Sequence, residues 1–556
     1  MALKVNFIKK LKNSNIFKVS LFFLTIFAFI IVSNILNTPQ DNTFFQKEYD
    51  SLRNFVKNQF NNKVKQLEYF TRKKDVTQII LWHNLYPQEQ IIVKNIIEDF
   101  EKTYPGIQIK DVHKSHWGQI CKSVANSLPM NKQPHLTFSY NDHIEFYSKS
   151  HKVIPLDIFI DEDQEFQQLD QQQFFPGYYE KIKLENEYDQ KEHHYSLPFA
   201  KSTEVMFYDS DFLKEHRKIL NQNFLDKHSS DFKDNSKNII DVNGIIDLVS
   251  LKEYLTWNHM ETLCETIKTI KKQKDFVPIT IESTANLFII ANEQKTMSYP
   301  DNVEKARDFF HNEEAKKTMK YFKEKFYEKG FLTTSKLIGE PSIKEIFLQR
   351  KSCMFITSTR RLDLMHKKKS NFNIEMTPIP TMNSKNYKNI IQGPNINLFY
   401  SPHRDEILAS WLFLKKLVSK DTYIELLEKK GSFTITRKDV KEHFDQTNDI
   451  QKTINKIKDK IKEIDNLKNE ESDTIRKTLE RELNKYKSIE FARTHTYDNN
   501  KEGVYFTSPV FLDSNFFRIV LEGLFNEVLA FNTDGVNIDS KIELLFNEAY
   551  QRIITH

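Results

Sequence analysis

Glycine is scarce, with 11 in 556 residues. No GxxxxGK[ST] loop is present to cradle phosphates, and no GxSxG turn or HExxH helix offers a nucleophile or a metal-bound water. The three cysteines, Cys121, Cys264 and Cys353, are far apart, form no CxxC and exclude a disulfide framework. His193-His194 has no partner at ligand spacing and is expected at the surface, so no metal is expected. The acids Asp161 and Asp163 lie in a polar loop, and proximity in sequence does not make them a hydrolase pair. No catalytic residue and no cofactor are expected.

The N-terminus has one long apolar run. Val19–Leu36 is uncharged and spans roughly 27 Å as a helix, about a hydrocarbon core. Five lysines (4, 9, 10, 12 and 18) precede it and no acid occurs before Asp41. The positive-inside rule therefore puts the start in the cytoplasm and the rest outside the cell membrane. An uncleaved signal anchor and a cleaved signal peptide both fit, and both export residues 39–556. The five lysines equal the whole formal charge of +5, so the exported part is formally neutral. That gives no electrostatic reason to bind nucleic acid. Lys367-Lys368-Lys369 reads as a solvated loop.

Residues 39–74 read as a helical stalk. Short strands then alternate with amphipathic helices: 78–82, 87–104, 107–112, 116–128 and 135–139. This predicts an α/β sheet, parallel in large part. Ligands bind such sheets beyond the carboxyl ends of strands. Those ends carry His83-Asn84 and Tyr140-Asn141-Asp142. Further helices are expected at 255–272, 313–330, 404–420 and 516–555, and strands at 352–358 and 395–400. Within 448–490, Ile450, Ile454, Ile457, Ile461, Ile464 and Leu467 recur at spacings of 3 and 4, then Ile475, Leu479, Leu483 and Tyr486. This predicts a helical hairpin, packed on itself or serving as a docking arm. The chemical signal is aromatic and small polar residues at element ends, which stack on sugars and polyols and orient their hydroxyls.

Several segments together carry a resemblance: "IILWHNLYPQEQIIVKNIIEDFEKTYPGIQI" (79–109), "PHLTFSY" (134–140), "YSLPFAKSTEVMFYDSDFLKE" (195–215), "SCMFITST" (352–359), "NIIQGPNINLF" (389–399) and "KKGSFTITR" (429–437). In this order they resemble the extracellular solute-binding proteins of carbohydrate-type ABC importers, of the glycerol-phosphate-binding and maltodextrin-binding kinds. The resemblance implies two α/β lobes, each a mixed sheet flanked by helices, hinged around a cleft. It implies capture of a sugar, polyol or glycerol derivative, delivery to ABC permease subunits, and no catalysis by this chain. The expected layout is a leader (1–18), a transmembrane anchor (19–36) and a stalk (37–75). Lobe 1 is expected from 76–190 and 340–400, lobe 2 from 191–339 and 401–556, with a helical insertion at 440–503.

The resemblance also carries ligand contacts onto this sequence: Trp117, Asn141, Ser202 with Thr203, Ser358, the close-approach glycine Gly393, and Ser432. Tyr140 and His83 join them as strand-end residues. The glycerol-phosphate kind usually has a tyrosine where Ser432 stands and an arginine near 510–511, where this chain has Val510 and Phe511. Without an arginine there, a phosphate loses its bidentate partner, and an uncharged sugar or polyol fits better. Lys201 or Arg360 could supply a cation in that arginine's place. Two competing readings remain: an extracellular carbohydrate-processing enzyme, which needs a carboxylate pair across the cleft, and an adhesion or scaffold protein acting through the hairpin.

Overall fold

The computed structural model describes residues 42–60, 70 and 75–555, apart from 116, 180–182, 186–190, 234–237, 253, 274, 340–341, 367–370, 466–469, 495–503, 509–510 and 512. The apolar run Val19–Leu36, its lysine leader and the run 367–369 lie outside the described residues. Among the described residues no helix is long and apolar enough to cross a membrane.

The first sheet takes Thr77–His83 (β1), Ile107–His113 (β2) and Leu136–Ser139 (β3). A small antiparallel pair follows, Lys183–Glu185 (β4) and Glu192–His194 (β5). Leu197–Pro198 (β6) returns to the first sheet, and Ser202–Asp209 (β7) opens the second. Ile279–Ile281 (β8), Leu332–Thr334 (β9), Met354–Ser358 (β10), Ile374–Pro378 (β11) and Asn389–Gln392 (β12) join it. Asn395–Leu398 (β13) goes back to the first sheet, and Tyr505–Thr507 (β14) closes the second. The sheet orders are β2-β1-β3-β13-β6 and β14-β12-β7-β10-β8-β9, with β11 also paired to β7. Both sheets are mixed: β1 runs parallel to β2 and β3, while β13 is antiparallel to β3. Strand β7 is buried along its whole length, as a central strand covered on both faces must be.

Each sheet has its own core. The first buries Ile79, Leu81, Ile92, Ile96, Phe138 and Leu398 with Trp411 and Phe413 of the helix Arg404–Val418. Trp411 stacks on Phe159 at 4.9 Å and donates its indole N–H to Asp163 at 3.0 Å. Asp163 also caps the helix Gln164–Leu169. The loop carboxylate is therefore a core anchor. The second core gathers Met206, Tyr208, Trp257, Phe288, Phe322 and Phe525.

Three expectations need correction. The sheets divide the chain differently from the expected lobes. Strand β10 pairs antiparallel with β7 from Met354↔Tyr208 to Ser358↔Glu204, and β11 and β12 also pair with β7, so these three strands belong to lobe 2. The helices Arg404–Val418 and Lys420–Lys429 fill the lobe 1 core with Leu417, Leu426 and Leu427. The chain crosses between lobes at 199–201, at 393–394 and once more between the helix Lys420–Lys429 and β14, and periodicity does not mark such crossings.

The stalk is not free-standing over 42–60. The helix Asn42–Phe60 buries Leu52 and Val56 in the lobe 1 core. Tyr49 donates its hydroxyl to the His151 carbonyl at 2.9 Å, and Arg404 reaches Glu48 at 2.9 Å. Leu52 and Val56 are one helical turn apart, so they share the face that packs. Finally, His193 and His194 are not surface residues. Both face Asp157, at 3.3 and 3.2 Å, and His194 stacks on Tyr179 at 4.1 Å.

The insertion forms the helices Asp449–Asp465 and Glu470–Thr494. Ile454 and Ile457 are buried in it. Its root packs on both lobes. Ile489 and Ala492 join a lobe 2 cluster with Val205, Phe207 and Phe355. Arg493 donates to the Leu427 carbonyl of lobe 1 at 2.6 Å and lies 4.2 Å over the Phe444 ring. A Cβ on Gly431 would meet Ile489 at 2.6 Å, so only glycine admits the hairpin here.

Candidate functional site

A cavity of about 530 Å³ lies between the two sheets, lined from both lobes and from the crossing strands. Lobe 1 contributes Tyr86, the helix start after Trp117 through Gly118, and Tyr140 to His143. Lobe 2 contributes Glu204, Glu282, Asn286, Ser358, Arg360, Arg361 and Arg518. The crossings contribute Lys201, Ser202, Gln392 and Gly393.

The period of two in a strand decides which residues of "KSTEV" reach the cavity. Ser202 and Glu204 line it. Thr203 points the other way and donates its hydroxyl to the Ile390 carbonyl at 2.8 Å. The expectation for Thr203 is thus corrected by one residue. Ser358 also lines the cavity and hydrogen-bonds Ser202 across the sheet at 3.0 Å. Its Oγ accepts from the Arg360 backbone N–H at 3.3 Å, shaping the turn that presents Arg360.

Gly393 is at φ 120°, and a Cβ there would sit 2.0 Å from the Ala200 carbonyl oxygen. Its missing side chain lets the two crossing strands touch. Its carbonyl accepts from Lys201 Nζ at 3.0 Å, and Asn395 Oδ1 accepts from the same ammonium at 2.6 Å. Asn395 in turn bonds Asn141. Asn141 and Tyr140 line the cavity as expected from the end of β3.

His83 and Ser432 are not brought to the cavity lining. His83 is buried at the end of β1, its Nδ1 accepting from the Leu85 N–H at 3.4 Å and its other nitrogen 3.5 Å from Asp111. Burial holds its pKa down, against the opposing pull of Asp111. Ser432 is fully buried in the turn after Lys430. Trp117 opens the helix Trp117–Ser127, and its side chain falls outside what is described.

Four residues that matter were missed in the sequence. Glu204 is a lone acid in an apolar strand. Asn286 opens the apolar helix Thr284–Gln294. Tyr86 directly precedes Pro87 at a helix start. Arg518 is the single cation in "FFRIVLEGLF". A lone polar residue on an otherwise buried face is the signal that could have found them.

The cavity cations differ in their partners. Arg360 reaches across the lobes to Glu89 in a two-point pair at 3.2 and 2.6 Å and lies 4.3 Å over Tyr86. Arg361 is held by Glu282 at 3.2 and 2.5 Å. Arg518 donates to Ser508 at 3.2 Å and to Asn286, with Asp142 of lobe 1 only at 3.9 Å. Lys201 has the two neutral acceptors named above. Burial lowers its pKa to about 7. Burial also raises the Glu204 carboxyl to about 7, opposed by a hydrogen bond from Asn286 at 2.7 Å.

One donor set for a metal lies elsewhere in lobe 2, at His228, Asp231 and His259. The Thr256 N–H donates to His259 Nδ1 at 3.1 Å, so the neutral ring carries its proton on Nε2 and gives it to Asp231 at 3.0 Å. The ring is thus a helix cap held by a carboxylate, and it does not offer a lone pair to an ion there.

A family model described as "Bacterial extracellular solute-binding protein" matches residues 95–456. A maltotriose-binding protein of Pyrococcus abyssi (strain GE5 / Orsay) is 26% identical over 145 residues, 26% of this chain. The chain spans only 29% of the length of that relative. The GacH receptor of Streptomyces glaucescens, studied unliganded and with acarbose, superposes with a TM-score of 0.57 at 13% identity, covering 86% of this chain and 99% of its own. UgpB of Mycobacterium tuberculosis, in complex with glycerophosphocholine, gives 0.56 at 11% identity, covering 86% and 99%. A Thermotoga lettingae solute-binding protein with α-D-tagatose gives 0.56 at 12%, covering 86% and 100%. These likenesses show a two-lobed α/β fold of the periplasmic-binding-protein kind.

Proposed function

Because the chain belongs to the bacterial extracellular solute-binding proteins, we propose that it is the capture subunit of an ABC importer, closing two lobes on a sugar, polyol or glycerol derivative. The solute passes from the cavity to permease subunits in the membrane, and the chain itself catalyses nothing. The N-terminal apolar run holds the binding domain at the outer face of the cell membrane.

The observation that carries this reading is the interlobe cavity itself. Hydrogen-bonding groups converge on it from both lobes: Asn141 and Tyr140 from one, Ser358, Asn286 and Glu204 from the other, with Ser202 at the crossing. Such a site engages its ligand only when both lobes are in place. A ligand that contacts both lobes therefore favours the closed arrangement by its differential affinity. Sugar-binding relatives and structural neighbours support the solute class, and UgpB supports a glycerol derivative.

The competing readings have less support. Of the four acids described in the cavity, Glu282 is clamped by Arg361, Glu522 pairs with Lys336 at 3.0 Å and Asp142 faces Arg518 at 3.9 Å, while Glu204 accepts a hydrogen bond from Asn286 at 2.7 Å. Hydrolysis asks for two carboxylates free to act on one bond. An adhesion arm predicts an open apolar hairpin face. Of the hairpin's described residues, Ile475 is the large apolar side chain that is exposed.

The test is a thermal-shift screen on residues 42–556 against maltotriose, tagatose, glycerol 3-phosphate and glycerophosphocholine. A ligand that binds only the folded state raises the melting temperature, by an amount that grows with its concentration over Kd. No shift with any of the four at millimolar concentration overturns the reading.

A further inference from the structure

Resting on the capture reading above, and in place of the uncharged solute that the sequence favoured, we infer that Lys201 is a specificity-determining residue of the cavity, selecting solutes that carry an oxyanion, a phosphate or a carboxylate, on a sugar or polyol body. Lys201 is 3% exposed and still lines the cavity. An ammonium has three N–H donors. Two are directed at neutral acceptors, the Gly393 carbonyl and Asn395 Oδ1. The third is left for the ligand.

The neighbouring charges sharpen the assignment. Arg360 and Arg361 are each satisfied by a two-point carboxylate pair. Asp142 faces Arg518 at 3.9 Å, and Glu204 bonds Asn286. None of these groups is within ion-pair distance of Lys201 among the described residues, and burial lowers its proton affinity. A buried cation without an acid is costly unless a partner arrives. Arg518, bonded to Ser508 and Asn286, is another cavity cation whose closest partners are neutral, and the exposed Lys122 lines the rim. One oxyanion between lobes would answer both.

This placement has a consequence beyond contact. With its pKa lowered to about 7, Lys201 is largely neutral at pH 8 before the ligand binds. An oxyanion beside it restores the charged form. Binding must then take up a proton, and affinity must fall as pH rises above about 7, by up to about tenfold per unit. A neutral sugar shows neither effect.

The experiment is titration calorimetry on residues 42–556 at pH 8, in two buffers of different ionisation heat. The probes are glycerol 3-phosphate, glucuronate, maltotriose and glycerol. Glucuronate and the phosphate separate the two oxyanion sources, and glucuronate has no proton of its own to exchange at this pH. The expected result is uptake of close to one proton with at least one oxyanion probe and none with the neutral probes. Lys201→Met is expected to abolish the uptake and to weaken that probe at least tenfold. Binding of maltotriose or glycerol without competition from either oxyanion overturns the Lys201 assignment and leaves the capture reading intact. Binding of none of the four overturns both. Should Lys201→Met fail to fold, the buffer dependence and the pH profile of the unmodified protein decide alone.

Discussion

Two seams join the lobes beside the cavity, and they are built differently. At one, Glu89 of lobe 1 holds Arg360 of lobe 2 at two points, and Lys430 of lobe 1 meets Asp363 of lobe 2 at 3.3 Å. Glu89 is 1% exposed and Arg360 8%. At the other, Asp142 and Arg518 stand 3.9 Å apart and the arginine leans on neutral groups. The first seam is largely buried and its charges are paired, so separating it means hydrating charges already matched to each other. The second retains bonding capacity toward whatever lies between the lobes. In the proposed capture reading, closure and recognition would be carried by different pairs.

The largest expected effect tests the tight seam. Glu89 does not line the cavity, so Glu89→Gln leaves the ligand contacts in place but strands Arg360. Breaking a buried pair costs about 3–5 kcal/mol. We expect the ligand-free protein to shift to the open form, read as a longer interlobe distance between spin labels, with affinity lowered roughly a hundredfold. An unchanged distance distribution would show that this seam does not govern closure.

Next is Arg518→Gln at the loose seam. It should weaken the ligand about tenfold, as loss of a charged hydrogen bond of about 1.5–3 kcal/mol implies. The ligand-free interlobe distance should stay as it is. Movement of that distance would merge the two seams into one device.

A control touches neither seam. Removing residues 1–75 instead of 1–41 deletes the docked helix with Leu52 and Val56. Each such side chain contributes about 1.5–3 kcal/mol on burial. The melting temperature should drop by several degrees while the interlobe distance stays put.

The acid between the seams gives a smaller, pH-dependent effect. The Glu204 carboxyl is raised by burial to about 7 in the folded state. A raised folded pKa contributes stability that is full below the unfolded value and is lost as pH rises through the folded one. Stability should therefore fall between about pH 4.5 and 7, and Glu204→Gln should flatten that part of a pH–melting curve. Asp142→Asn, at a 3.9 Å contact, should change affinity by less than about 1 kcal/mol, seen by calorimetry.

These seams also show where the sequence was readable. Strands, helices and their order were legible because burial imposes a period on each of them, and Ser202, Ser358, Gly393, Asn141 and Tyr140 do meet in one cavity. Thr203 was misplaced because a strand sends neighbours to opposite faces, and the sequence does not say which face is which. The lobe boundaries were misassigned because a crossing such as Gly393-Pro394 looks like any turn. Arg518 escaped notice because its partners Asn286 and Ser508 come from segments 232 and 10 residues away. Glu89 reads as an ordinary first-turn acid, and only the fold brings Arg360 to it from 271 residues on.

The docked helix Asn42–Phe60 bears on how such a receptor would search. With an anchor at 19–36, five residues remain before Asn42. Fully extended they reach at most about 18 Å. A receptor so anchored would not sweep the outer space on a leash. Lobe 1 becomes the door frame and lobe 2 the swinging leaf. Under that proposal, meeting a permease would be a matter of lateral diffusion in two dimensions, at the high effective concentration that a short tether gives.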